Sequence, residues 1–184
     1  KTIAAVTRDA DAAGILYDNA VLPPAYSFVT RENGPRDAAP LRLRLASKPS
    51  APVTLAVSIQ GPDADEATVS PAVLTFTSGD WDQPAAHAIV VSGVDDAIDD
   101  GDREYSVVFA PAASADPNYL AKTPTPATLK GLNTDDADSF GVSVTGGPLE
   151  LFEEGTTERL SVVLKSQPTA PVTIAISSGD ATEF

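Results

Sequence analysis

The chain has 184 residues, enough for one domain and part of another, and 42% of them are hydrophobic, so a packed core is expected and global disorder is not. A formal net charge of −14 argues against nucleic acid and polybasic membrane contact, both of which need basic patches, and favours cations or plain solubility. The absence of cysteine excludes disulfides, thiolate zinc sites and cysteine nucleophiles, and no run approaches the roughly 20 apolar residues of a membrane span.

In chain order, TRDADAAGI (7–15) is an acidic linker. A Pro- and Gly-punctuated stretch over 16–40 carries Glu32 within RENG. LRLRL (41–45) alternates Leu41, Leu43 and Leu45 with Arg42 and Arg44, and VTLAVSI (53–59) repeats the pattern with Val53, Leu55, Val57 and Ile59. That period of two predicts half-buried strands. Asp63, Asp65 and Glu66 precede the next strand, AVLTFT (72–77). GDWDQP then brings Trp81, expected to cover a core edge just before a strand, although a ligand-stacking role is the other reading of a lone Trp.

HAIVVSGV (87–94) is a further strand. His87, the single histidine, is expected there as a surface or half-buried strand residue rather than a catalytic base. The stretch GVDDAIDDGDREYSVVF (93–109) crowds Asp95, Asp96, Asp99, Asp100, Asp102 and Glu104 around Arg103, then becomes a strand with Tyr105, Val107 and Phe109 on one face. In SADPNYLAKTP, Tyr119 reads as a loop anchor. TPTPAT (123–128) reads as a stiff extended connection or a site for O-linked sugar, and NTDDAD (133–138) is a second acidic linker.

The sequence repeats itself. LRLRLASKPSAPVTLAVS (41–58) matches LSVVLKSQPTAPVTIAIS (160–177) without a gap, and TRDADAAGI (7–15) matches TDDADSFGV (134–142) at a different offset. The first copy therefore holds about eight extra residues, within 16–40. Repetition at this spacing predicts tandem modules. Residues 1–14 are then the last strand and linker of a preceding copy, 15–138 a complete copy, and 139–184 the opening part of the next. About seven short strands per copy, with turn residues between them, predict an all-β fold, an immunoglobulin-like antiparallel β-sandwich. The partial copy should expose Leu160, Val162, Leu164, Val172, Ile174 and Ile176 on an incomplete core.

The acids fall at predicted strand ends and linkers, and alternate loops of a sandwich gather at one end. Two like charges 4 Å apart repel by about 4 kcal/mol at an effective dielectric near 20, so convergence calls for a counter-ion. Carboxylate oxygens suit calcium, whereas zinc and copper favour His or Cys. The spacing Asp96-Ala97-Ile98-Asp99-Asp100-Gly101 is not an EF-hand loop, so any such site is discontinuous. The plainer reading is that these are solvated turn residues.

At these residues the chain resembles the Calx-beta repeat family. The resemblance rests on RENG and FEEG, L-x-S-x-P-x-A-P-V-T, T-V-S-P-A-x-L-T-F-T, the Trp of GDWDQP, V-D-D-x-x-D-D-G-D-x-x-Y, S-A-D-P-N-Y and N-T-D-D-x-D, and it covers almost the whole chain. It implies calcium bound at one end of the sandwich by Glu32, Asp63, Asp95 with Asp96, Asp100, and Asp135 with Asp136, with Glu153 and Asp180 serving the next copy. Ala137 interrupts the last acidic run, a departure from the family pattern.

The function expected from these readings is structural and non-enzymatic. The chain reads as a segment of an extracellular or cell-surface tandem-repeat protein, an adhesin stalk or filament, whose sandwiches are stiffened by calcium. Its partners would be neighbouring repeats or subunits of the same protein, with a cell-surface or matrix ligand possible. The alternative is a ligand-binding module for a sugar or protein, with YDNAVLPPAY (17–26) as its patch.

Overall fold

The computed structural model describes residues 11–18, 27–33, 38–135, 139–147, 149, 155 and 157–177. It contains two compact units, Lys1–Asp95 with Gly101–Asp136, and Asp96–Asp100 with Ala137–Phe184.

In the first unit, alternation of apolar and polar residues sets the strands. They are β1 (Ile15–Tyr17), β2 (Phe28–Arg31), β3 (Leu41–Leu45), β4 (Val53–Gln60), β5 (Ala67–Ser70), β6 (Val73–Phe76), β7 (Ala88–Gly93), β8 (Arg103–Phe109), β9 (Ala113–Ser114) and β10 (Thr128–Thr134). One sheet runs β1-β3-β7-β5 and the other β2-β10-β8-β4-β6, with β9 beside β4. The inward phase of each strand meets between the sheets: Leu43, Leu45, Val53, Leu55, Phe76, Ile89, Val91 and Val107 are completely buried. Burial of a side chain of this size contributes about 1.5–3 kcal/mol. The result is an immunoglobulin-like β-sandwich.

Three local features differ from the sequence expectation. β10 pairs with β2 in parallel, Gly131 opposite Phe28 through Thr134 opposite Arg31, while the other pairs in this unit are antiparallel. Ile59 is half-buried rather than in the core. His87 precedes β7 and is buried, not half-exposed on the strand. Its ring stacks on Phe76 with centroids 4.1 Å apart, and its nitrogens face the carbonyls of Gln83 and Thr75, each at 3.1 Å. Phe76 draws the imidazole inward, and a backbone carbonyl accepts its ring N–H there.

Trp81 lies partly buried against the core, and its carbonyl accepts from Leu45 N–H at 2.8 Å. Tyr119 is an anchor: it is buried, and its hydroxyl accepts from Ser47 N–H at 3.0 Å.

In the second unit, β11 (Val142–Thr145) and β12 (Ser161–Leu164) pair antiparallel. Their register reproduces that of β1 and β3. Ile15 lies opposite Leu45 and Val142 opposite Leu164; Tyr17 lies opposite Leu43 and Val144 opposite Val162. The closing bond is the same too, Ala46 N–H to Gly14 O and Lys165 N–H to Gly141 O, both at 2.9 Å. Burial does not carry over. Leu43 is 0% exposed and its counterpart Val162 36%; Leu55 is 0% exposed and Ile174 43%.

Candidate functional site: an acidic end built from strand termini

The pairing pattern brings several strand ends together. β2 and β10 run parallel and finish side by side at Arg31 and Thr134. β8 runs the other way and starts there, Arg103 opposite Asn133. In the facing sheet β7 ends at Gly93, opposite Ala67, the first residue of β5. At Gly93 the two sheets approach closely. A Cβ on it would lie 2.4 Å from Arg31 O and 2.5 Å from Asn133 Oδ1, so only glycine fits.

Asn133 stands at the centre of this end and is fully buried. Its Nδ2 donates toward Glu66 Oε2 at 3.1 Å, Val94 O at 3.2 Å and Glu32 Oε1 at 3.4 Å. Its Oδ1 accepts from Thr30 Oγ1 at 2.9 Å, and Thr30 Oγ1 lies 3.2 Å from the Tyr105 hydroxyl. Burial pushes the Tyr105 phenol above its ordinary range, so this group keeps its proton and remains a donor. Glu32, directly after β2, is 2% exposed, an unusual place for a carboxylate. Glu66 closes a 3-10 turn (Ala64–Glu66), and its carbonyl accepts from Val94 N–H at 2.9 Å.

A more exposed group of acids belongs to the same unit. Asp135 follows β10; its Oδ2 accepts from Gly101 N–H at 3.0 Å and its own N–H donates to Asp102 Oδ1 at 3.2 Å. Asp135 Oδ1 is buried and accepts no hydrogen bond from any described residue. Asp95 follows Val94 and is exposed.

Of the residues proposed from the sequence, Glu32, Asp95 and Asp135 lie at this end of the first unit. Asp63 precedes the 3-10 turn that ends at Glu66 and lines a surface depression with Glu104, Ser106 and Lys130. Asp96 and Asp100 belong to the second unit, where Asp96 Oδ1 caps the turn by accepting from Ile98 N–H at 2.7 Å. Asp136, Glu153, Asp180 and most of YDNAVLPPAY lie outside the described residues.

Sequence reasoning counted Glu66 and Asp102 among the clustered acids but gave neither a ligand role, and it missed Asn133. The signal for Asn133 was its phase: Leu129, Gly131 and Asn133 are alternate residues of β10 and all face inward. Glu66, not Asp63, meets Asn133 because it sits at the inner end of the 3-10 turn, directly before buried Ala67.

The donor set fits a hard dication. It consists of carboxylate and carbonyl oxygens, and it includes the buried Asp135 Oδ1, which has no donor among the described residues. His87 lies at the opposite end of β7, so nitrogen ligation is not on offer. Among the described residues no three acidic side chains stand close enough to form a ready-made cage.

No family model and no curated protein matches the chain. Among solved structures it is similar to the apo form of the Calx CBD1 domain, with a TM-score of 0.44 and 12% identity over 68% of this chain and 99% of that one. It is also similar to a chain of a type I cohesin–dockerin complex from Clostridium thermocellum, with a TM-score of 0.31 and 9% identity over 72% of this chain and 99% of that one.

Proposed function

We propose that this chain is a structural segment of an extracellular or cell-surface tandem-repeat protein, and that calcium binds the acidic end of its sandwich and stiffens it. The observation that carries this reading is the gathering of Glu32, Glu66, Asp95, Asp102 and Asp135 at the ends of strands from both sheets, with Asp135 Oδ1 buried and undonated among the described residues. Asp102 and Asp135 would hold the ion from the strand β8 and β10 sides, and Asp95 from the β7 side. A bound dication supplies the positive charge that offsets their mutual repulsion.

Ordering Asp135 also orders part of the acidic linker, so the effect on the chain is mechanical rather than catalytic. The shared register of β1–β3 and β11–β12 supports the tandem reading. A non-enzymatic role accords with His87 being sealed between two backbone carbonyls. No helix among the described residues is long and apolar enough to cross a membrane.

Isothermal titration of the intact chain with calcium tests this directly. The expected dissociation constant is about 10⁻⁴–10⁻³ M, the range of extracellular modules, and Asp102→Asn with Asp135→Asn should remove the heat. Small-angle scattering in chelator and in calcium checks the mechanical part, with a narrower distribution of chain dimensions expected in calcium. Absence of binding heat at millimolar calcium sinks the reading.

A further inference from the structure

We propose that Asn133 is a positioning residue: its side-chain amide donates to both Glu32 and Glu66 and holds the two carboxylates side by side, so that the first unit folds before any metal ion is bound. The inference rests on the calcium reading only for its second arm.

A buried carboxylate such as Glu32 needs donors, and with the half-buried Glu66 beside it those donors must bring no further negative charge. Asn133 Nδ2 is aimed at both, at 3.1 Å from Glu66 Oε2 and 3.4 Å from Glu32 Oε1. The orientation of the amide follows from its surroundings. Turned the other way, Oδ1 would face two carboxylates and the Val94 carbonyl, with nothing to donate.

The chain of bonds behind the amide agrees with that orientation. Tyr105 O–H donates to Thr30 Oγ1, Thr30 O–H donates to Asn133 Oδ1, and Asn133 N–H donates to the carboxylates. Dipoles in such a chain reinforce one another, which makes the last N–H a better donor. Gly93 completes the arrangement, since any side chain there would meet Asn133 Oδ1 at 2.5 Å. An Asp at 133 would have the same shape but would replace the donor with a third carboxylate.

The experiment is thermal unfolding of the full chain in chelator and in millimolar calcium. It is followed by the fluorescence of Trp81, the single tryptophan, which lies against the core of the first unit. Asn133→Asp should lower the chelator midpoint by roughly 10 °C and enlarge the shift that calcium produces. The double variant Asn133→Asp/Glu66→Gln puts the amide on the opposite partner. It should recover at least half of that loss in chelator, a rescue that a purely space-filling role does not produce.

If Asn133→Asp fails to fold in either solution, the double variant decides: folding supports the inference and failure overturns it. A chelator midpoint for Asn133→Asp equal to that of the natural chain also overturns it. Loss and rescue in chelator with no calcium shift in any variant would uphold the role of Asn133 and overturn the calcium reading instead.

Discussion

Asp116 and Tyr119 hold the end of the sandwich opposite the acids. Asp116 Oδ2 accepts from Ser50 N–H at 2.8 Å and Oδ1 from Asn118 N–H at 2.9 Å. These backbone donors hold its carboxyl below the ordinary carboxylate range. The folded state therefore binds this proton less tightly than the unfolded chain. The stability it contributes is complete above the ordinary carboxylate pKa and is lost as pH falls through the lowered one. Asp116→Asn should flatten the acid limb of a plot of Trp81-detected midpoint against pH, and an unchanged limb would contradict this. Tyr119→Phe removes the hydroxyl that satisfies Ser47, and should cost about 1–3 kcal/mol in denaturant unfolding. The anchoring role of Tyr119 was legible from an aromatic residue in a Pro- and Asp-rich loop. The choice of Glu66 over Asp63 was not, because a 3-10 turn decides which acid of a cluster faces inward.

The strands were the most legible elements, because each wears its burial as an alternation of two. Leu41, Leu43 and Leu45 are buried as that pattern requires. Partner choice is another matter. The parallel β2–β10 pair joins residues about a hundred positions apart, and local sequence holds no record of it. The close approach at Gly93 was equally hidden, since a glycine at a strand end more often marks a turn. Gly93→Ala should force Arg31 and Asn133 away and lower stability by about 1–3 kcal/mol. The repeat allows a paired comparison. Leu43→Ala in the full core should cost about 2–5 kcal/mol, whereas Val162→Ala on the exposed β12 should stay within about 1 kcal/mol. Denaturant unfolding of both variants, read by Trp81 and by far-ultraviolet circular dichroism, checks the difference.

For the molecule as a whole, a charge of −14 is unevenly distributed, and part of it lies at one end of the first unit. The places of Glu32 and Asp135 just past strand ends were legible from the sequence. The division of the acids was not: Asn133 serves buried Glu32 and half-buried Glu66, and Asp102 and Asp135 form a separate group. The central claim is that this end is built for a dication. The measurement that tests it most directly is the Trp81-detected melt of the intact chain in chelator, in millimolar magnesium and in millimolar calcium. The account predicts a midpoint several degrees higher in calcium than in chelator, little change in magnesium, and no calcium shift in Asp135→Asn. Identical midpoints in all three solutions would contradict it and leave these carboxylates as surface charge.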